Sequence, residues 1–302
     1  MPGSSSRSRL RQSRLLPHKV PAWTVRVDER VTGRLLDYEY SITIDDVQVR
    51  QYISMSFRDS AAPVRDPESI AVRSNGDSFT LQIGDTVVVE RASMLHVLTL
   101  LVWNLNRRSV PTDRADGVYL HAGAVALDGR AALIVGQSGA GKTTATIGLA
   151  RSGFDYLTDD VVLLDAEGNV RGSRKPVGLR FPSPIILGLD DLPVPPGIDL
   201  PDALPVAAST LGANFIDTAR VGAIVFLTTE GQPGSSRPLS RATALHRLVE
   251  HSFNRTIFAS SGLGMCADML GATHVVEWTR GAIDTLDTTV RVLLDTPRDL
   301  AR

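Results

Sequence analysis

Apolar and polar residues alternate at period two through most of residues 23 to 90, in WTVRVDERV, YEYSITIDDVQVRQYISMSF and SIAVRSNGDSFTLQIGDTVVVE. That alternation predicts strands with one buried face. Turn formers at Asn75-Gly76-Asp77 and Gly84-Asp85 separate them, so a small antiparallel sheet is expected. The period then lengthens. Leu95, Leu98, Leu101, Val102 and Leu105 recur at helical spacing and predict a helix over 92 to 107. From Gly117, the strands GVYLHAGAVAL and RAALIVG flank Asp128-Gly129, the pattern of a hairpin with a two-residue turn.

Beyond the hairpin a helix is expected from 143 to 151, closed by Gly153 as a left-handed cap. FDYLTDDVVLLD reads as β, and AEGN turns the chain back into VRGSRKPVGLRF. Residues 182 to 205 are dense in proline and predict a long loop, which in a compact domain is usually functional. VGAIVFLTT is apolar throughout, as a strand buried on both faces would be. Helices over 242 to 253 and 264 to 270, a strand THVVEWT and a helix over 283 to 294 complete the pattern. The chain therefore divides into a disordered basic leader (1–20), a β-rich module ending in a helix (21–112) and an α/β unit (113–302).

Composition narrows the function classes. The net charge is −1, which gives no electrostatic case for nucleic acid or an anionic membrane. No apolar run approaches the roughly 18 residues of a membrane span. Arg7, Arg9, Arg11, Arg14 and Lys19 precede any acidic residue, and nothing in that stretch has the apolar core of a signal peptide, so a cytoplasmic protein is expected. Cys266 is the sole cysteine and sits in apolar LGMCADML, where a packed thiol is expected.

The chemistry begins at GQSGAGKT, which matches G-x-x-x-x-G-K-[ST] at Gly136, Gly141, Lys142 and Thr143. Glycines let successive amides converge on phosphate oxygens, and the following helix adds its positive end. Gly136, Gln137, Ser138, Gly139, Ala140, Gly141, Lys142, Thr143 and Thr144 are therefore expected to hold ATP, with Lys142 on the β- and γ-phosphates and Thr143 on Mg2+. A strand before the loop and a helix after it supply the context that this motif needs.

Asp159-Asp160 follows Lys142 by only seventeen positions, flanked by apolar β segments. Phosphoryl transfer needs an acid for the metal and an acceptor for the hydroxyl proton, and adjacent carboxylates can divide those tasks. His121, on the hairpin strand beside the loop, can approach the phosphates, although a lone strand histidine is commonly structural.

The stretch LHAGAVALDGRAALIVGQSGAGKTTATIGLARSGFDYLTDD resembles the catalytic core of the HPr kinase/phosphorylase family in its histidine strand, hairpin, P-loop, short helix and Asp-Asp strand. The resemblance implies an α/β fold with a phosphoenolpyruvate-carboxykinase-like P-loop core, and transfer of phosphate to serine. It implies Asp159 as general base, Asp160 and Thr143 as magnesium ligands, and His121 as an active-site histidine. The chain departs from the family after the core, where SRKPVGLRFPSP replaces a Glu-Ile-Arg-Gly-Leu-Gly segment. Lys175-Pro176 is similar to the Lys-Pro element of HPr-kinase-related proteins in lasso-peptide biosynthesis. Lys175 and Arg180 are thus candidates for a substrate carboxylate or phosphate, and Arg220 for transition-state charge. The expected function is a Mg-ATP-dependent kinase acting on a serine of a peptide or small protein. The alternatives are a small-molecule hydroxyl kinase on the same scaffold, or a regulatory nucleotide-binding module without transfer. A homo-oligomer is compatible with all three.

Overall fold

The computed structural model describes residues 30–111, 117–189, 192, 204–254 and 261–296. The basic leader, the boundary at 112–113 and most of the proline-rich stretch lie outside the described residues.

The first unit comprises β1 (Arg30–Leu35), β2 (Tyr38–Ile44), α1 (Val47–Ser56), β3 (Glu68–Asn75), β4 (Ser78–Ile83), β5 (Thr86–Ala92) and α2 (Met94–Arg108). Its five strands lie in chain order. The sheet is not wholly antiparallel as expected, because β2 and β3 run parallel, joined by a crossover through α1. VQVRQYISMS, which reads as strand, is that helix. Asp46 caps it by accepting from the Val49 N–H at 2.9 Å, and Val49, Tyr52, Ile53 and Ser56 form its buried stripe. The helical spacing i, i+3, i+4, i+7 lay beneath a short alternating run, and the cap decided between them.

The second unit contains β6 (Val118–Leu127), β7 (Arg130–Val135), α3 (Lys142–Arg151), β8 (Asp155–Thr158), β9 (Val161–Leu164), β10 (Asn169–Gly172), β11 (Val177–Leu179), α4 (Ser183–Ile186), β12 (Leu204–Val206), β13 (Asn214–Phe215), β14 (Thr218–Thr228), β15 (Ser236–Pro238), α5 (Arg241–Glu250), α6 (Leu263–Gly271), β16 (His274–Thr279) and α7 (Ile283–Asp295). The β6–β7 hairpin turns at Asp128 and Gly129, both at positive φ (50° and 76°), as such a turn requires. β7 lies between β6, antiparallel, and β14, parallel, at the centre of a large mixed sheet. Ala145, Leu149, Leu286 and Val290 cover one face of that sheet from α3 and α7. Ala244, Leu248, Cys266 and Leu270 cover the other from α5 and α6. Cys266 is a packed thiol, and burial pushes it up to about 12. The fold is thus mixed α/β, and among the described residues no helix is long and apolar enough to cross a membrane.

The two units share a core. Ile53, Leu81 and Leu98 belong to the same apolar cluster as Ile147, Tyr156, Val177 and Val206. The Tyr52 and Ser56 hydroxyls both donate to the Pro205 carbonyl, at 2.6 and 3.0 Å.

α3 rests on β6 through a glycine. A Cβ at Gly123 would lie 2.1 Å from Thr146 Oγ1, a hydroxyl already bonded to the Lys142 carbonyl at 2.8 Å. Gly123→Ala is expected to destabilise the protein by about 1–3 kcal/mol in urea unfolding, because the helix must lift off the strand. A loss below about 0.5 kcal/mol would show that Thr146 simply rotates away.

Candidate active site

β7 ends at Val135 and the chain turns through residues 136 to 141 into α3. Gly139 and Gly141 stand at φ 83° and 100°, which side-chain-bearing residues resist. Gly136 is confined for a different reason: a Cβ there would come within 3.2 Å of the Ala140 and Leu227 side chains. Lys142, 7% exposed, folds over the loop and donates to the Gly136 and Gln137 carbonyls at 2.7 and 3.3 Å. Burial lowers its pKa against the opposing pull of Asp160 and Asp159. Thr144 is tied outward, its hydroxyl 2.7 Å from that of Ser183 at the start of α4.

β8 and β9 run along one edge of β6, with a register shift at Leu157 inside β8, and Asp159-Asp160 lies at the junction of the two strands. Successive residues of an extended chain point to opposite sides. The two carboxylates consequently have different partners. Asp159, 4% exposed, accepts from the Thr143 hydroxyl (2.9 Å), Lys175 Nζ (3.1 Å) and the Tyr156 hydroxyl (3.2 Å). Asp160 is more open. It accepts from Asn106 Nδ2 at 2.8 Å and lies 2.7 Å from His121 Nδ1, close but without the alignment of a hydrogen bond. The resemblance pairs Thr143 with Asp160; the structure pairs it with Asp159.

Lys175 is not a free surface charge awaiting a substrate. It is buried between the carboxylates, 3.1 Å from Asp159 Oδ1 and 3.5 Å from Asp160 Oδ2. Burial works against its charge, but the two aspartates outweigh it and hold Lys175 above its ordinary pKa. Burial likewise raises Asp160, yet Lys175 and His121 prevail and hold it well below the usual carboxylate range. Tyr156 is pushed up by burial and by Asp159.

Two candidates fall outside this cluster. Arg180 is exposed, and its carbonyl accepts from the Ser183 N–H at 2.8 Å. Arg220 pairs with Arg130 at the start of β7, whereas Phe226 pairs with Val135 beside the loop. Five strand residues separate those ends, roughly 17 Å, so Arg220 is at the wrong end of the sheet. The strand was read correctly, but its direction relative to the loop is not legible locally.

Asn106 belongs to the cluster with no sign of it in the sequence. An asparagine near a helix end is unremarkable in sequence, and only the packing of α2 against the second unit brings it to Asp160. Tyr156 is equally silent in sequence, because a strand tyrosine normally reads as core.

On the other side of the loop a cleft of about 840 Å³ opens between residues 136 to 140, the ends of β14 and β16, and α5. On its wall Glu277 is shared between Arg237 (2.7 Å to Nε) and Arg247 (2.6 Å to Nη1). His251 also lines it.

No protein-family model matches the chain. No curated protein matches it either. Among solved structures, the HPr(Ser) kinase/phosphatase from Coxiella burnetii is similar to it at 13% identity, over 59% of this chain and 88% of that one, with a TM-score of 0.29. Superposition that loose describes a distant likeness, and the functional reading below rests on the side chains of this chain.

Proposed function

We propose that the chain is a Mg-ATP-dependent phosphotransferase that moves the γ-phosphoryl group to a hydroxyl, with a serine of a peptide as acceptor. The observation that carries this is the unequal partnering of two adjacent carboxylates beside a phosphate-cradling loop.

The roles follow from those partners, with the two aspartates exchanged relative to the family pattern. The Thr143 hydroxyl and the Asp159 carboxylate form a pair of hard oxygen donors 2.9 Å apart, the kind of partial site that Mg2+ completes with water and phosphate oxygens. When bound, the ion would neutralise phosphate charge. Asp160 is the more open carboxylate, and Lys175 and His121 keep it ionised at neutral pH. It accepts the acceptor's hydroxyl proton as the new O–P bond forms and the bond from the γ-phosphorus to the β,γ-bridging oxygen breaks, releasing ADP. A carboxylate this acidic is a weak base, which suits a loose transition state that asks mainly for positioning. Lys142 counters charge on the transferring group, and His121 fixes the orientation of Asp160.

The test is an incubation of purified protein with Mg2+, ATP and pools of serine peptides or hydroxyl metabolites. One phosphoryl mass should appear on a peptide with equimolar ADP, and Lys142→Ala should abolish both. Modification of metabolites alone would establish the small-molecule reading. Nucleotide binding without ADP formation under any acceptor would leave a regulatory module and sink the transferase.

A further inference from the structure

β6 changes partners along one of its edges. Over Ala122 to Leu127 that edge pairs with β7, and the opposite edge carries β8 and β9. Where β7 departs into the phosphate loop, the vacated row is filled by the residues that follow α5. Leu120 and Ser252 form an antiparallel bridge there. The His121 N–H donates to the His251 carbonyl at 2.7 Å and the Phe253 N–H to the Tyr119 carbonyl at 2.8 Å. Asn254 fastens the end, accepting from the Tyr119 N–H (3.0 Å) and donating to the Gly117 carbonyl (2.9 Å).

This register sets His251 directly opposite His121. Opposed residues of an antiparallel pair share a face, with Cβ atoms about 4.5–5.5 Å apart. The ring of Phe253, two residues on, meets the His121 ring edge-on at 5.5 Å, as a shared face demands. His251 also lines the cleft together with residues 136 to 140 of the loop. Burial, with Lys142, lowers its pKa against the opposing pull of Glu250 and favours the neutral ring. A neutral imidazole offers one donor and one acceptor nitrogen.

We propose that His251 is a second imidazole of the transfer centre, donating a hydrogen bond to an oxygen of the γ-phosphoryl group from the α5 side, opposite Asp160. The proposal rests on the phosphotransferase reading for its purpose, but it can be read without an acceptor. Long-range proton–nitrogen correlation spectra of the imidazoles, recorded with Mg2+ and either ADP or the β,γ-imido analogue of ATP, report contact with the γ-group. His251→Gln identifies the resonances by removing them. The His251 ring nitrogens should shift with the triphosphate analogue and not with ADP. Equal shifts in both states, or none, overturn the proposal even if transfer to an acceptor is demonstrated. If nucleotide binds and no acceptor is ever phosphorylated, the transferase reading fails while the spectra still decide the role of His251. Where transfer is measured, His251→Leu should lower turnover on the order of 100-fold with nucleotide affinity little changed, and His251→Gln, which keeps a donor, should recover part of it.

Discussion

Lys175→Met is expected to destabilise the protein by about 3–5 kcal/mol, because it strands the buried Asp159 and the partly buried Asp160 without their shared cation. In a chain of this size that is a fall in Tm of roughly 10 °C, measurable by calorimetry. The pH dependence follows from the directions of the shifts. Lys175 is held above its ordinary pKa, so its contribution is complete below the unfolded lysine value and fades only as pH rises through the folded one. Asp160 is held below the ordinary carboxylate value, so its contribution is complete above about pH 4 and fades as pH falls toward the folded value. The pair therefore stabilises across the neutral range, and the deficit of Lys175→Met should be largest there. A variant as stable as the parent at pH 7 would mean that Lys175 is dispensable for charge balance.

Asp160→Asn is expected to cut phosphoryl transfer about 10²–10⁴-fold while nucleotide affinity stays nearly constant, since the amide cannot take the hydroxyl proton. Asp159→Asn is the informative comparison. Asp159 holds the Thr143 hydroxyl, so its loss should instead raise the magnesium concentration needed for half-maximal rate. Titrating Mg2+ against rate for both variants separates the roles, and the opposite pattern would restore the family-derived order. Activity of the parent should also persist to low pH, because Lys175 and His121 depress Asp160. In any active Lys175→Met preparation the acid limb should move upward.

The loop, its hairpin and the aspartate pair were legible in sequence because each rests on local rules: glycine conformations, a two-residue turn and an acid at a strand end. The division of labour within the pair was not. It depends on which carboxylate meets Thr143 on α3 and which meets Asn106 on α2, and neither is written in neighbouring residues. The motif marks Lys175 but not its place between the aspartates, since its burial depends on the whole surrounding packing. Arg220 failed for the corresponding reason at the far end of a correctly read strand. α1 failed where two periodicities overlapped over ten residues and a single capping carboxylate settled the matter.

The amide of Asn106 has a consequence for how the molecule is governed. The first sheet reads as an appendage, yet one of its helices grips an oxygen of Asp160 at 2.8 Å. The carboxylate thus takes its bearings from both sheets of the shared core at once. In the proposed mechanism a tilt of α2 would reach Asp160 through Asn106 alone, without passing through the loop at 136 to 141.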